Sequence, residues 1–308
     1  MDKQTTSAFI LIGLILVVWL YFNSPAPQPQ QKKKGEPTAV EQKDTIAVKP
    51  SVQQKQTAKP LEEPAPFGAK QLTEKIITIE TDLAKIELTN KGAKIRRYFI
   101  KKYKTWYHAD VKDTNFYNQH VQLVSSNNGG DFNIIFVTKE GKLVNTSLID
   151  FNSTAKNYFY KVSSKDSVAI KYEFLTGKGK AIRKNFVFYG DNYATKIDVE
   201  LENMDDVISS YRYDVVWSSG LVNPEENSVD EAIHSNASAY SGDEQVIVDA
   251  TTAGEKVTKD INGKVDWVAI RNKYFTMILA PTNPSSDGGA FFEGNHTLDQ
   301  FGAKEIYS

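Results

Sequence analysis

The sequence predicts an all-β fold, a large antiparallel β-sandwich, preceded by one transmembrane helix and a disordered proline-rich linker. Three observations carry that prediction. Segments with a two-residue apolar period recur from about residue 71 to residue 308. Turn residues separate them at short spacing. No ten-residue stretch of this region has a convincing helical period, and only Asn223 to Ile233, after Pro224, reads as a short helix.

The chain opens with a short polar N-terminus at 1–6 and then a membrane anchor at 7–22. From Ala8 to Phe22 every residue is apolar, aromatic or glycine, and Thr5, Thr6 and Ser7 extend the uncharged run to 18 residues. At 1.5 Å per residue that run spans about 27 Å, close to the roughly 30 Å of a hydrocarbon core. Trp19, Tyr21 and Phe22 end it as an interfacial belt, and Asn23-Ser24-Pro25-Ala26-Pro27 is a poor cleavage site, so the anchor is expected to be retained rather than removed as a signal peptide. Positive-inside counting, with Lys3 on one side against Lys32, Lys33 and Lys34 on the other, favours the linker side as the cytoplasmic one.

Residues 23–70 read as the linker. Between Asn23 and Pro66 lie 8 of the 11 prolines, with Gln, Lys and Glu filling most of the rest and no aromatic residue, so this stretch cannot bury a core. As a coil its reach is about 35–40 Å.

Composition changes at about Lys70, where aromatic residues begin to recur. Val168, Ile170, Tyr172 and Phe174 alternate with Ala169, Lys171 and Glu173, and Tyr193, Thr195, Ile197, Val199 and Leu201 alternate with polar or small residues. Each is a strand with one wet face. Further strands are expected at 76–80, 83–88, 93–100, 132–138, 158–162, 181–189, 211–217, 244–249, 265–270 and 274–280. Asn90-Lys91-Gly92, Asn128-Gly129-Gly130, Gly177-Lys178-Gly179, Gly190-Asp191-Asn192 and Asn262-Gly263 supply turns between them.

Composition excludes several chemistries. The net charge of −1, from 37 basic and 38 acidic residues, gives no general attraction to nucleic acid, and no nucleic-acid partner is expected. The absence of cysteine removes disulfides, thiolate metal sites and a cysteine nucleophile. His108, His120, His234 and His296 are scattered and fit no ligand spacing. Nucleophile-elbow, Walker and dinucleotide motifs are missing, and Gly177-Lys178-Gly179-Lys180 reads as a basic hairpin turn. No catalytic residue, cofactor site or metal site is assigned, and an enzyme is not expected.

Two surface readings remain. Lys94, Arg96, Arg97, Lys101, Lys102 and Lys104, interleaved with Tyr98, Phe99 and Tyr103, read first as a solvated strand face and next as a docking surface for anionic lipid or a protein partner. Tyr211, Tyr213, Trp217 and Trp267, spaced alternately within strands, are expected to form an interior layer rather than a sugar platform.

At this point the residues resemble a known family. Ile86-Glu87-Leu88-Thr89-Asn90-Lys91-Gly92-Ala93-Lys94-Ile95, followed by Tyr98 and Tyr103, is similar to the opening strand, glycine turn and strand of the periplasmic domain of YidC membrane protein insertases in their Bacteroidetes-like form. Arg183-Lys184-Asn185-Phe186-Val187-Phe188, Tyr193, Asn203, Trp217 with Gly220, Asp266-Trp267-Val268-Ala269 and Tyr274-Phe275 follow in the family's order. The resemblance implies a supersandwich of galactose mutarotase-like architecture in the periplasm, one inner-membrane anchor and a cytoplasmic N-terminus. It implies the Sec translocon, nascent membrane proteins and inner membrane lipids as partners, with a docking or positioning role for the β domain. It also places insertase activity in a following five-helix membrane domain, for which 1–308 offers no second apolar segment. No groove residue is carried over, and Ala303 to Ser308 read as still inside the β domain. The implied architecture raises one alternative, a membrane-anchored carbohydrate-binding or mutarotase-like protein, with Glu293 and His296 as the residues to inspect.

Overall fold

The computed structural model describes Phe67 and residues 72–109, 115–128, 130–177, 179–284, 288–299 and 302–307. The stretches read as N-terminus, anchor and linker, 1–70, lie outside the described residues, Phe67 excepted. Among the described residues no helix is long and apolar enough to cross a membrane.

The chain is built from strands. The first nine are β1 (Ile76–Glu80), β2 (Ala84–Thr89), β3 (Lys94–Lys104), β4 (His120–Val124), β5 (Asn133–Thr138), β6 (Leu143–Asn145), β7 (Asn152–Ser153), β8 (Phe159–Lys161) and β9 (Ser167–Gly177). After them come β10 (Lys180–Tyr189), β11 (Thr195–Glu202), β12 (Ile208–Val216), β13 (Asn236–Ser241), β14 (Glu244–Val248), β15 (Lys256–Asn262), β16 (Val265–Arg271), β17 (Thr276–Leu279), β18 (Gly289–Asp299) and β19 (Gly302–Tyr307). Among the described residues two short α-helices interrupt them, α1 (Phe116–Gln119) and α2 (Ser228–Ala232).

Five sheets result, in the orders β4-β3-β2-β1-β8, β11-β10-β9-β7, β12-β5-β6, β14-β13-β16-β17 and β15-β18-β19. Neighbouring strands are mostly hairpin partners, as short turns dictate. The pairing of β1 with β8, Thr78 opposite Phe159, is the single parallel one among the described strands.

Alternation explains where each sheet buries its face. Ile77, Ile79, Ile86 and Leu88 share one core with Ile170, Tyr172, Ile182, Phe186 and Phe188 of the β9–β10 hairpin and with Ile134 and Phe136 of β5. A second core joins Ile100, Val121 and Leu123 to Ala237, Ala239, Val248, Ile270 and Phe292. Tyr98, Trp217 and Met277 pack against both. The five-stranded sheet thus serves two sandwiches, the extended β-sandwich the sequence predicts.

The first core reaches back to Phe67, which is 2% exposed. Its ring lies 5.7 Å from Phe136 and 6.3 Å from Phe174. Phe67→Ala is expected to cost about 3–5 kcal/mol, the usual price of emptying a buried aromatic site. Chemical denaturation checks this, and a loss within the noise would detach Phe67 from the core.

The aromatic-layer expectation needs correction. Tyr211 is 72% exposed and Tyr213 46%. Ser210 and Tyr211 both take left-handed φ angles of 55°, and the register jumps from Ile208 opposite Thr138 to Tyr213 opposite Phe136. That bulge breaks the alternation on which the interior reading rested. Trp217 does pack against both cores, whereas Trp267 is half-buried and stacks on Tyr240 at 5.9 Å.

Candidate functional site

The histidines do not converge. The Nδ1 atoms of His108, His120, His234 and His296 lie 2.6–3.0 Å from the carbonyls of Thr105, Phe116, Asp230 and Ala250 respectively; His108 and His120 share the β3–β4 end, whereas His234 and His296 lie elsewhere. On β18 the His296 side chain is buried while Glu293, three positions earlier, is exposed. An odd separation along a strand sends two side chains to opposite faces. The pair is therefore split, and the geometry gives the sugar-site alternative no support.

Nor does the basic hairpin turn stand free. Lys180 bonds to the Asp206 carboxylate and to the Asn203 carbonyl at 3.0 Å. Beyond it, the outer face of β9–β11 carries a shallow depression of about 230 Å³ lined by Lys171, Arg183, Asn185, Asp198 and Glu200. Arg183 is held there by Glu173 at 2.7 Å and Glu202 at 2.6 Å, which leaves an exposed charge ladder already balanced within itself.

The basic strand β3 divides into two parts. At its first half Glu87, 5% exposed, accepts from Arg96 at 2.7 Å and faces Arg97 at 3.4 Å. Burial and a hydrogen bond to Glu87 push the Tyr117 phenol up to about 12. Tyr117 and Phe116 of α1 meet the buried Phe99 edge-on at 5.3 and 5.9 Å. Lys85 lies 4.4 Å from the Tyr117 ring centre. Helix α1 thus roofs the outer face of β2 and β3 with aromatic rings, and the arginines are spent on Glu87.

The second half of β3 behaves differently. Lys102, Tyr103 and Lys104 are exposed, as are Trp106 and Tyr107 just beyond. The Lys104 ammonium lies 2.9 Å from His120 Nε2 and 3.4 Å from Gln119 Oε1, both uncharged acceptors. Burial first, and then Lys104, Lys101 and Lys85, hold His120 below its ordinary pKa. A neutral ring that donates through Nδ1 to Phe116 and accepts at Nε2 fits both contacts. Tyr103 packs edge-on to Phe275 at 5.5 Å, which joins this tip to the turn between β16 and β17, where Tyr274 is 52% exposed.

A buried polar hub, unread in the sequence, holds the fold at the opposite end of β3, where Asp131 bridges Ile95. Gly130, at φ +70°, lets the chain pass the Ile95 carbonyl, which an added Cβ would meet at 2.4 Å. The next residue, Asp131, is fully buried; it accepts from the Phe132, Ser218 and Ser219 amides at 3.0, 2.8 and 2.8 Å and from the Ser219 hydroxyl. Burial nonetheless raises its pKa against those donors. Phe132 sits at φ +81°, a costly conformation for a bulky residue. Its carbonyl accepts from Lys184 Nζ at 3.2 Å, alongside the Gly92 carbonyl at 2.8 Å and Thr146 Oγ1 at 3.1 Å. Lys184 is fully buried, and among the described residues no carboxylate pairs with it, so burial and the repulsion of Lys94 push it down to about 7. The signal was present in the pattern: Ile182, Lys184, Phe186 and Phe188 share the inward face of β10.

A second buried acid closes the other end. Glu231 of α2 is fully buried, accepts from the Glu225 amide at 3.2 Å, and has its second oxygen unpartnered among the described residues. Burial raises it to about 7.

Fold and site together define a two-core β-sandwich module held by buried polar struts. Comparison with known proteins gives the particular family. The family model for the YidC periplasmic domain matches residues 76–304, and the chain belongs to that family. Similar relatives include proteins named membrane protein insertase YidC from Chloroherpeton thalassium, 31% identical over 100% of this chain and 51% of the relative, and from Chlorobium limicola, 30% identical over 98% and 49%. A further one, from Chlorobium phaeovibrioides, is 29% identical over 96% of this chain and 48% of its own length. The chain spans about half the length of the curated relatives it matches.

Proposed function

We propose that this chain is the anchored periplasmic module of a membrane protein insertase, which positions nascent membrane proteins beside the Sec translocon and performs no catalysis itself. The observation that carries the proposal is the family match over 76–304, together with relatives named for insertase activity. In this reading 7–22 is a single inner-membrane span with a cytoplasmic N-terminus, the linker from 23 is a tether that ends where Phe67 enters the first core, and the two-core sandwich stands in the periplasm.

The β domain cannot itself carry a substrate through lipid. Polar groups crossing hydrocarbon meet penalties of several kcal/mol each unless a hydrated groove shields them. Among the described residues the two apolar cores are enclosed within the sandwich and offer no such groove.

Expression of residues 1–308 in cells depleted of their own insertase is therefore expected not to restore insertion of a small dependent membrane protein, measured by protease protection. Fusion of a downstream multi-helix membrane domain is expected to restore it. Full rescue by 1–308 alone would overturn the assignment.

A further inference from the structure

We infer that the tip formed by the end of β3 and residues 105–109 directly after it, with the β16–β17 turn beside it, is a docking surface for the anionic lipid headgroups of the bilayer. The inference rests on the anchored-module reading, which keeps the domain within reach of a membrane.

Three observations point to lipid rather than to solvent alone. Trp106 and Tyr107 are 48% and 36% exposed and meet edge to face at 5.1 Å, while Tyr103 and Tyr274 are 44% and 52% exposed. Large rings that carry a polar edge gain free energy at the headgroup level, where one end is dry and the other wet. Lys102 and Lys104 flank them and, among the described residues, neither has a carboxylate partner. Lys102 lies 5.5 Å from the Tyr103 ring centre, and Lys104 meets only uncharged acceptors in the contacts described above. Finally, lysine stems and aromatic bodies at one tip form the amphipathic set that snorkels at an interface, the ammonium in the headgroups and the carbon beneath.

The test exploits the absence of cysteine. The chain 1–308 carrying Ala109→Cys beside the tip, or Lys196→Cys on β11 as a control, is labelled with an environment-sensitive fluorophore. It is then reconstituted through its anchor into phosphatidylcholine vesicles with or without phosphatidylglycerol, doped with a nitroxide lipid quencher. Quenching is expected at position 109 in the anionic vesicles, weak quenching in the neutral ones, and none at position 196 in either. Added salt should reverse it, and Lys102→Gln with Lys104→Gln should lower the docking equilibrium about 25-fold, from about fivefold for each lysine. Trp106→Ser with Tyr107→Ser should also lower it at unchanged salt sensitivity.

No quenching at 109, or equal quenching at 109 and 196, overturns the inference; so does loss of captured client protein in the lysine variant without any change in quenching, which would make the tip a protein surface. Circular dichroism of each variant confirms that the sandwich is intact. Because the readout is lipid contact rather than insertion, the docking surface and the insertase reading stand or fall separately.

Discussion

Asp131→Asn is expected to destabilise the β domain by about 3–5 kcal/mol, the range seen when a buried hydrogen-bonded charge is disrupted. The carboxylate presents two acceptor oxygens to three amides and a hydroxyl. Asparagine keeps one oxygen and turns an NH2 toward N–H donors, so it strands at least one amide in a site with no water access. The damage spreads because Asp131 ties the turn before β5 to Ser218 and Ser219 after β12, more than 80 residues later. Its grip on the Phe132 amide also holds that residue at φ +81°, where a bulky side chain is worth of order 1–3 kcal/mol of strain. Urea denaturation followed by near-ultraviolet circular dichroism gives the loss, and limited proteolysis between 217 and 224 should accelerate in parallel. A loss below about 1 kcal/mol would show that the hub tolerates its own dissolution.

The second large effect is a pH dependence set by Lys184. Its ordinary pKa is 10.5 and burial brings it to about 7 in the folded chain. Between those values the unfolded chain holds a proton that the folded chain has released, so this group's contribution to stability rises with pH from about 7 to about 10.5 and is flat below. Buried lysines shift by up to about 3–5 units, so the gain across the window is on the order of 3–5 kcal/mol.

Nζ donates to three acceptors, the Gly92 and Phe132 carbonyls and Thr146 Oγ1, the last of which also accepts from the Ile134 amide at 2.9 Å. Lys184→Met is therefore expected to be destabilising by about 2–3 kcal/mol at pH 10, where it strands three partners, and to lose that deficit as pH falls toward 6, where the native protein bears a buried charge and the variant does not. Stability profiles of both proteins over this range decide the matter. A constant difference from pH 6 to 10 would mean that Lys184 stays charged throughout.

Much of the fold was legible because strands announce themselves through alternation. Val168 to Phe174 and Thr195 to Glu202 were read within a few residues of their observed ends, since one wet and one dry face leaves a two-residue period in the sequence. Strand β13 escaped because its core contacts come from Ala237 and Ala239, fully buried residues too small to look apolar in a run of Asn and Ser. Strand β15 escaped for the opposite reason: of its seven residues only Ile261 is buried, so its polar face dominates the composition. Strands β4, β6, β7, β18 and β19 were also missed; the second and third are too short to show a period, and β18 carries Gly289, Gly294 and Asn295 within it.

The basic segment Lys94–Lys104 shows where sequence reasoning reaches its end. The charges were evident, but their division was not: Arg96 and Arg97 turn to a buried Glu87, while Lys102 and Lys104 face outward beside Trp106. Which acid a base meets depends on strand register, and register is a long-range property.

What the sequence determined by itself was the all-β class, the positions of most hairpins and the resemblance to the YidC periplasmic domain, because each rests on local periodicity, turn chemistry or ordered landmarks. What only the tertiary structure decided was the second core, the exposure of Tyr211 and Tyr213, and the Asp131 and Lys184 hub. Bulges and buried polar partners arise from contacts between residues tens of positions apart, and no local pattern encodes the desolvation that makes a lysine at an inward strand position different from one on the surface.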